Sequence, residues 1–152
     1  DNDGLQILKA DQMIAERKLD EAIAIYETII ARRPNDLIVA NNLASLLSDR
    51  SDAESLKRAA SVAAALKGAE NPYFIDTYGW ALYRAGDKAA GLAALEKAAA
   101  AAPAVVDIRY HYGVALMESG DATRGRAELE AVVAAPNAAP ERVVEARRLL
   151  GL

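Results

Sequence analysis

Apolar residues recur three and four positions apart along most of the chain. Ile75, Tyr78, Gly79 and Leu82 form one such stripe, and Leu92, Leu95 and Ala99 form the next. Polar punctuation divides the stripes. Gly86-Asp87 and Gly120-Asp121 each pair a helix-closing glycine with an aspartate that caps the following helix. Asn71-Pro72 places a capping residue before a first-turn proline, and Pro34 and Pro103 stop helices. The pattern predicts an all-α chain with helices over 4–17, 20–33, 36–49, 54–68, 72–85, 88–101, 106–119, 122–134 and 140–150. The last of these turns Val143, Ala146 and Leu150 inward. It turns Glu141, Arg142, Glu145, Arg147 and Arg148 outward, the pattern of a solvating cap or of the first helix of a truncated fifth repeat.

The stripes repeat. Tyr78, Gly79, Ala81 and Leu82 match Tyr112, Gly113, Ala115 and Leu116. Gly86-Asp87 matches Gly120-Asp121, Gly91 matches Gly125, and Leu95 matches Leu129, always 34 residues apart. A helical hairpin of this length cannot bury its own apolar face, so stacking on neighbouring hairpins must supply the core. The polar run from Ser48 to Glu54 has no Gly-Asp and predicts an irregular turn.

This period resembles the tetratricopeptide repeat. Gly79 falls at that family's small position in the first helix, Leu82 at its large position and Pro103 at the end of its second helix. Asp20-Glu21-Ala22-Ile23-Ala24-Ile25-Tyr26 looks like the family's second helix, with Ala10, Met13 and Pro34 around it. Asn42-Leu43-Ala44-Ser45-Leu46-Leu47 looks like its first. The resemblance implies a right-handed α-solenoid. It gives one array with repeats at about 3–36, 37–71, 72–105 and 106–139, and a capping helix over 140–152. The family usually carries alanine where Gly91 and Gly125 stand, at the closest contact of the paired helices. Both glycines therefore predict a closer approach, and Gly91→Leu overpacks it.

Composition agrees with helices. The chain has 152 residues, 53% of them hydrophobic and 26% charged. Its 35 alanines favour helix, and few of its residues are aromatic. A net charge of −4 and a pI near 5.1 speak against a nucleic-acid partner, which asks for a basic face. Without cysteine there is no disulfide, thiolate ligand or cysteine nucleophile, and the compartment stays open. The apolar run over 98–102 ends at Pro103, so direct membrane insertion is not expected. The opening Asp1-Asn2-Asp3-Gly4 predicts a segment of a longer protein with any targeting signal upstream.

Catalytic chemistry is hard to find. His111 is the single histidine and has no partner at metal-ligand spacing. No phosphate loop or nucleophile elbow occurs. The expectation is a non-enzyme without catalytic residues, metal or cofactor. The resemblance instead implies a concave groove lined by the first helix of each pair. Carried over position by position, that groove takes Ile7, Asp11 and Ile14 from the first repeat and Asn41, Asn42, Ser45 and Ser48 from the second. It takes Tyr73, Asp76, Thr77, Trp80, Tyr83 and Arg84 from the third. The fourth repeat contributes Tyr110, His111, Val114 and Met117. Exposed aromatics beside Asn, Asp and Arg make a binding hot spot. The competing reading packs Trp80 and Tyr83 between repeats as core, the role expected of Tyr78 and Tyr112. Some family members clamp a peptide carboxylate with lysine and asparagine. At those positions this chain offers Ile7, Asp11, Asn42, Tyr73 and Thr77, of which only Asn42 suits an anion.

The expected function is capture of a protein or peptide segment in the groove, with a self-associating homo-oligomer as the alternative. The phrases at 41–47, 71–81 and 110–113 also resemble bacterial envelope tetratricopeptide proteins, some of them lipoproteins tied to exopolysaccharide production and exosortase-type sorting. That resemblance implies a periplasmic or envelope-associated scaffold; a cytoplasmic one is the other option.

Overall fold

The computed structural model describes residues 2–152. Among them are nine α-helices and no strand: α1 (Asn2–Ala15), α2 (Leu19–Arg32), α3 (Leu37–Ser48), α4 (Ala53–Ala63), α5 (Pro72–Ala85), α6 (Lys88–Ala101), α7 (Val106–Glu118), α8 (Ala122–Ala134) and α9 (Pro140–Leu150). A 3-10 turn, Ala64–Leu66, follows α4. The sequence expects this segment to stay α-helical to residue 68. The tighter turn instead drives Leu66 into the core, where it is fully buried.

Local chemistry sets the helix ends. The side chains of Asp36, Asp52, Asn71, Asp87 and Asp121 accept hydrogen bonds from backbone N–H groups in the first turns of α3, α4, α5, α6 and α8. Gly86 and Gly120 adopt φ of 109° and 94° after α5 and α7. There the N–H of Asp87 reaches the Leu82 carbonyl and that of Asp121 reaches Leu116, both at 3.0 Å. The α1–α2 turn closes the same way, with Lys18 N–H donating to Met13 at 2.8 Å. Its left-handed position is filled by Arg17, at φ 63°, the one non-glycine with positive φ among the described residues.

The helices pair as α1/α2, α3/α4, α5/α6 and α7/α8, and each pair packs on the next. Buried side chains fall into two main clusters. One runs from Ala10 through Tyr26 and Leu43 to Ala81; the other runs from Trp80 and Tyr83 through Leu95 and Leu129 to Leu150. They meet on α5, whose Ala81 faces one while Trp80 faces the other. The fold is an α-solenoid. The first helices α3, α5, α7 and α9 neighbour one another and form one layer. That layer curves until its ends meet. Arg17, in the α1–α2 turn, pairs with Glu141 of α9, and Arg142 of α9 lies 3.4 Å from Asp49 beyond the end of α3.

The crossing within a pair is unusually close. A Cβ added at Gly91 would stand 2.6 Å from Tyr83 N and 2.7 Å from Tyr83 Cα. At Gly125 it would meet Met117 N at 2.8 Å and Met117 Cγ at 2.7 Å. Both glycines therefore serve close helix approach. Backbone cannot yield as a side-chain tip does. Gly91→Ala is expected to destabilise the array by about 1–3 kcal/mol despite alanine's better helix propensity, and Gly91→Leu by more. Urea denaturation followed by circular dichroism measures it; an unchanged midpoint for Gly91→Ala would remove the close-approach explanation.

Candidate functional site

The sequence-predicted groove residues divide by depth. From α1, Asp11 is exposed, and Ile7 and Ile14 are half-buried. On α3, Ser45 is exposed, Asn41 and Asn42 are half-buried, and Ser48 is buried with its hydroxyl on the Ala44 carbonyl at 2.7 Å. Tyr73, at the start of α5, is 56% exposed. Arg84 is half-buried at the far end of α5. It donates to the backbone carbonyls of Ser48 at 3.2 Å and Arg50 at 2.7 Å, which ties α5 to the end of α3.

The open aromatic trough expected from the sequence is not formed. Trp80 is 6% exposed and Tyr83 2%. Asp76, Thr77, Tyr110, His111 and Val114 are buried as well, and Met117 is half-buried and turned against Gly125. The competing reading of Trp80 and Tyr83 as core describes the structure. Curvature brings successive first helices together, so large side chains on their facing edges sink into the seam between repeats. Trp80 stacks on Tyr83 at 6.0 Å and on His111 at 4.5 Å between ring centroids. The Tyr83 hydroxyl lies 3.0 Å from a Glu118 carboxylate oxygen on α7. Burial, and then Glu118, push its pKa up. Truncating Trp80 or Tyr83 would remove core, at a cost of about 3–5 kcal/mol for a buried aromatic. Tyr112 is buried as expected of core, and Tyr78 is half-buried against the first cluster.

Two polar networks run through this layer. In the first, the Tyr26 hydroxyl donates to Asp11 at 2.8 Å and accepts from the Asn42 amide at 3.2 Å; Asn41 in turn donates to Asn42 at 3.2 Å. In the second, His111 Nδ1 lies 2.9 and 3.0 Å from the two Asp76 carboxylate oxygens, so Nδ1 carries the donated proton and pins α7 to α5. The ring nitrogens Trp80 Nε1 and His111 Nε2 and the amide oxygen Asn41 Oδ1 are buried without a hydrogen bond inside the protein. Among the described residues, no group of three or more His, Asp and Glu side chains converges as metal ligands would. No helix among them is long and apolar enough to cross a membrane.

Sequence reasoning missed Arg142 and the rim around it. Its guanidinium sits 4.5 Å over the Tyr110 ring and 3.3 Å from Asp107, as well as 3.4 Å from Asp49. Burial works against this charge, but the two aspartates outweigh it and hold the pKa above its ordinary value. The sequence assigned Arg142 to the solvent face of a cap, because partners 35 and 93 residues away leave no local trace. One signal was legible: Arg17-Lys18 stands where later turns have Gly86-Asp87 and Gly120-Asp121.

The first network makes stability depend on alkaline pH. Burial, and then the bond to Asp11, push Tyr26 from its ordinary value near 10 up to about 12. The folded state thus keeps a phenolic proton that the unfolded chain releases. The stabilisation is complete below about pH 10 and is lost as pH rises through about 12. Tyr26→Phe should cost about 1 kcal/mol near neutrality, because Asn42 loses an acceptor, and should flatten part of the alkaline loss. Urea midpoints compared at about pH 8 and pH 11 test this; an equally steep loss in the variant would show that Tyr26 contributes nothing to it.

A family model described as tetratricopeptide repeat matches residues 79–140. No curated protein shows significant similarity to the sequence. A crystal structure of a thermophilic TPR protein from Thermus thermophilus superposes with a TM-score of 0.69 at 18% identity, covering 94% of this chain and 78% of that one. MamA from Desulfovibrio magneticus RS-1, from position 41 to its end, gives 0.67 at 16% identity, covering 96% and 76%. A further crystal structure of MamA gives 0.63 at 17% identity, covering 99% and 83%. At such identities the likeness concerns the fold. Residues 79–140 thus carry the tetratricopeptide repeat signature, and the paired-helix architecture of the described residues is similar to that of tetratricopeptide repeat proteins.

Proposed function

We propose that the chain is a non-enzymatic scaffold that holds an extended or helical protein segment along its concave face. In this reading residues 1–152 act as one array, with repeats over 3–36, 37–71, 72–105 and 106–139 and a cap over 140–152. The tetratricopeptide fold points to protein–protein interaction, and its members are generally scaffolds. One observation carries the finer reading: successive first helices keep hydrogen-bonding side chains within reach of a ligand. Asp11 on α1, Asn41, Asn42 and Ser45 on α3, and Tyr73 on α5 remain exposed or half-buried while their large neighbours sink. Tyr73 supplies apolar contact, and the amides and hydroxyls fix the register of a bound backbone. The sequence resemblance to envelope proteins supports a place in bacterial envelope or exopolysaccharide assembly.

Peptides selected from a random display library, measured against native protein and the double variant Ser45→Arg/Tyr73→Ala, test the groove. Affinity should fall at least about tenfold, or about 1.4 kcal/mol, with helicity unchanged. Equal affinity for the two proteins rejects the concave face as the binding surface.

A second reading, self-association, is favoured by the outer face of α1. Leu5 and Leu8 are 69% and 67% exposed. Their counterparts 34 residues on are Val39, fully buried, and Asn42, half-buried; in the fourth repeat they are Ile108 and His111, both buried. A preceding helical pair packs on α3 and on α7. A second copy packed on α1 in the same manner would cover Leu5 and Leu8. Light scattering should then show a mass that grows with concentration in native protein and stays monomeric in Leu5→Lys/Leu8→Lys. A native mass that stays monomeric throughout dismisses this reading.

A further inference from the structure

Where the two ends of the solenoid meet, between the α1–α2 turn and α9, lies an open cavity of about 510 Å³. Its walls include the aliphatic side chains of Ile14, Leu19 and Leu46 together with Tyr110; Asp49, Glu141 and Glu145 face Arg17 and Arg142 around them. One cation already sits here. The Arg142 guanidinium lies over Tyr110 and is shared between two carboxylates, Asp49 and Asp107. The other charges are matched singly: Glu141 by Arg17, and Glu145 by Arg148 through bonds of 2.6 and 2.8 Å. The mouth therefore keeps an excess negative charge. Asp11, one turn before Ile14 on α1, adds another carboxylate, engaged by the Tyr26 hydroxyl. Aliphatic walls beside uncompensated carboxylates focus the field on an arriving ligand.

We infer that this cavity receives an arginine or lysine side chain from a basic protein segment bound in the groove. The alkyl stem of such a side chain lies along Ile14, Leu19 and Leu46, as long cationic side chains lie on apolar surface. Its charged end takes over Asp49, while Arg142 retains Asp107. The pose of Arg142 displays the chemistry required: a planar cation over an aromatic face, between aspartates. Charge complementarity selects against acidic segments, which would meet the same excess as repulsion. This inference rests on the groove reading and specifies the partner's chemistry.

Fluorescence anisotropy with a labelled peptide of arginine, leucine and serine, and with its glutamine-for-arginine counterpart, tests it. The arginine peptide should bind native protein at least tenfold tighter than the glutamine peptide. Asp49→Asn should close most of that gap, and Arg142→Gln should tighten the arginine peptide severalfold by freeing two carboxylates. Circular dichroism verifies that both variants fold. Equal affinity for the two peptides, or a gap that survives in Asp49→Asn, overturns the inference. Failure of the arginine peptide to bind overturns it too. In each of those cases library-selected peptides sensitive to Ser45→Arg/Tyr73→Ala would leave the groove reading standing.

Discussion

Each helical hairpin in this protein is set by how near its two backbones can come. Where Gly91 meets Tyr83 and Gly125 meets Met117, there is no room for a β-carbon. Gly79 contributes from the other helix, since a Cβ there would meet the Gly91 carbonyl oxygen and Leu95 N at 3.0 Å. In the first pair the corresponding small residues are Ala10 and Ala22, both fully buried. Close packing of this kind gives dispersion contacts along a whole crossing and leaves little freedom to slide. The crossing fixes the angle of each hairpin, the hairpins fix the stacking, and the stacking fixes the curvature of the first-helix layer.

Curvature then decides which side chains a ligand can meet. On a flat layer Trp80, Tyr83 and His111 would stand open. On this one they fill the seam between α5 and α7 and stack with one another. The aromatic area stabilises the array, and smaller polar groups such as Ser45, together with Tyr73, are what this layer leaves exposed. The same bending carries Arg142 to Asp49, 93 residues away, and so builds a charged rim that belongs to no single repeat.

The fold was legible because its determinants are local. A 34-residue period, Asp87 and Asp121 after glycines, and Asn71-Pro72 each act within a few residues. They located every helix, missing only the 3-10 turn after α4, where burial of Leu66 overrode a good helical sequence. The surface was less legible. The resemblance implies which positions of a first helix line the groove, but their exposure depends on a neighbour that curvature brings in. Trp80 and Ser45 are both groove positions by that resemblance; one is core and the other open. Arg142 was misplaced for a related reason. Amphipathicity put it on a solvent face, and the distant Asp49, Asp107 and Tyr110 made that face an interior edge.

The contact between the two ends of the array is electrostatic rather than apolar. Arg17 with Glu141, and Arg142 with Asp49, join elements that no hydrophobic cluster spans. Hydrophobic seams between repeats resist electrolyte, whereas exposed ion pairs are screened over a Debye length of roughly 8 Å at physiological ionic strength. The clasp between the ends of the solenoid is therefore more sensitive to salt than the seams between its repeats, above all at the exposed pair of Arg17 and Glu141.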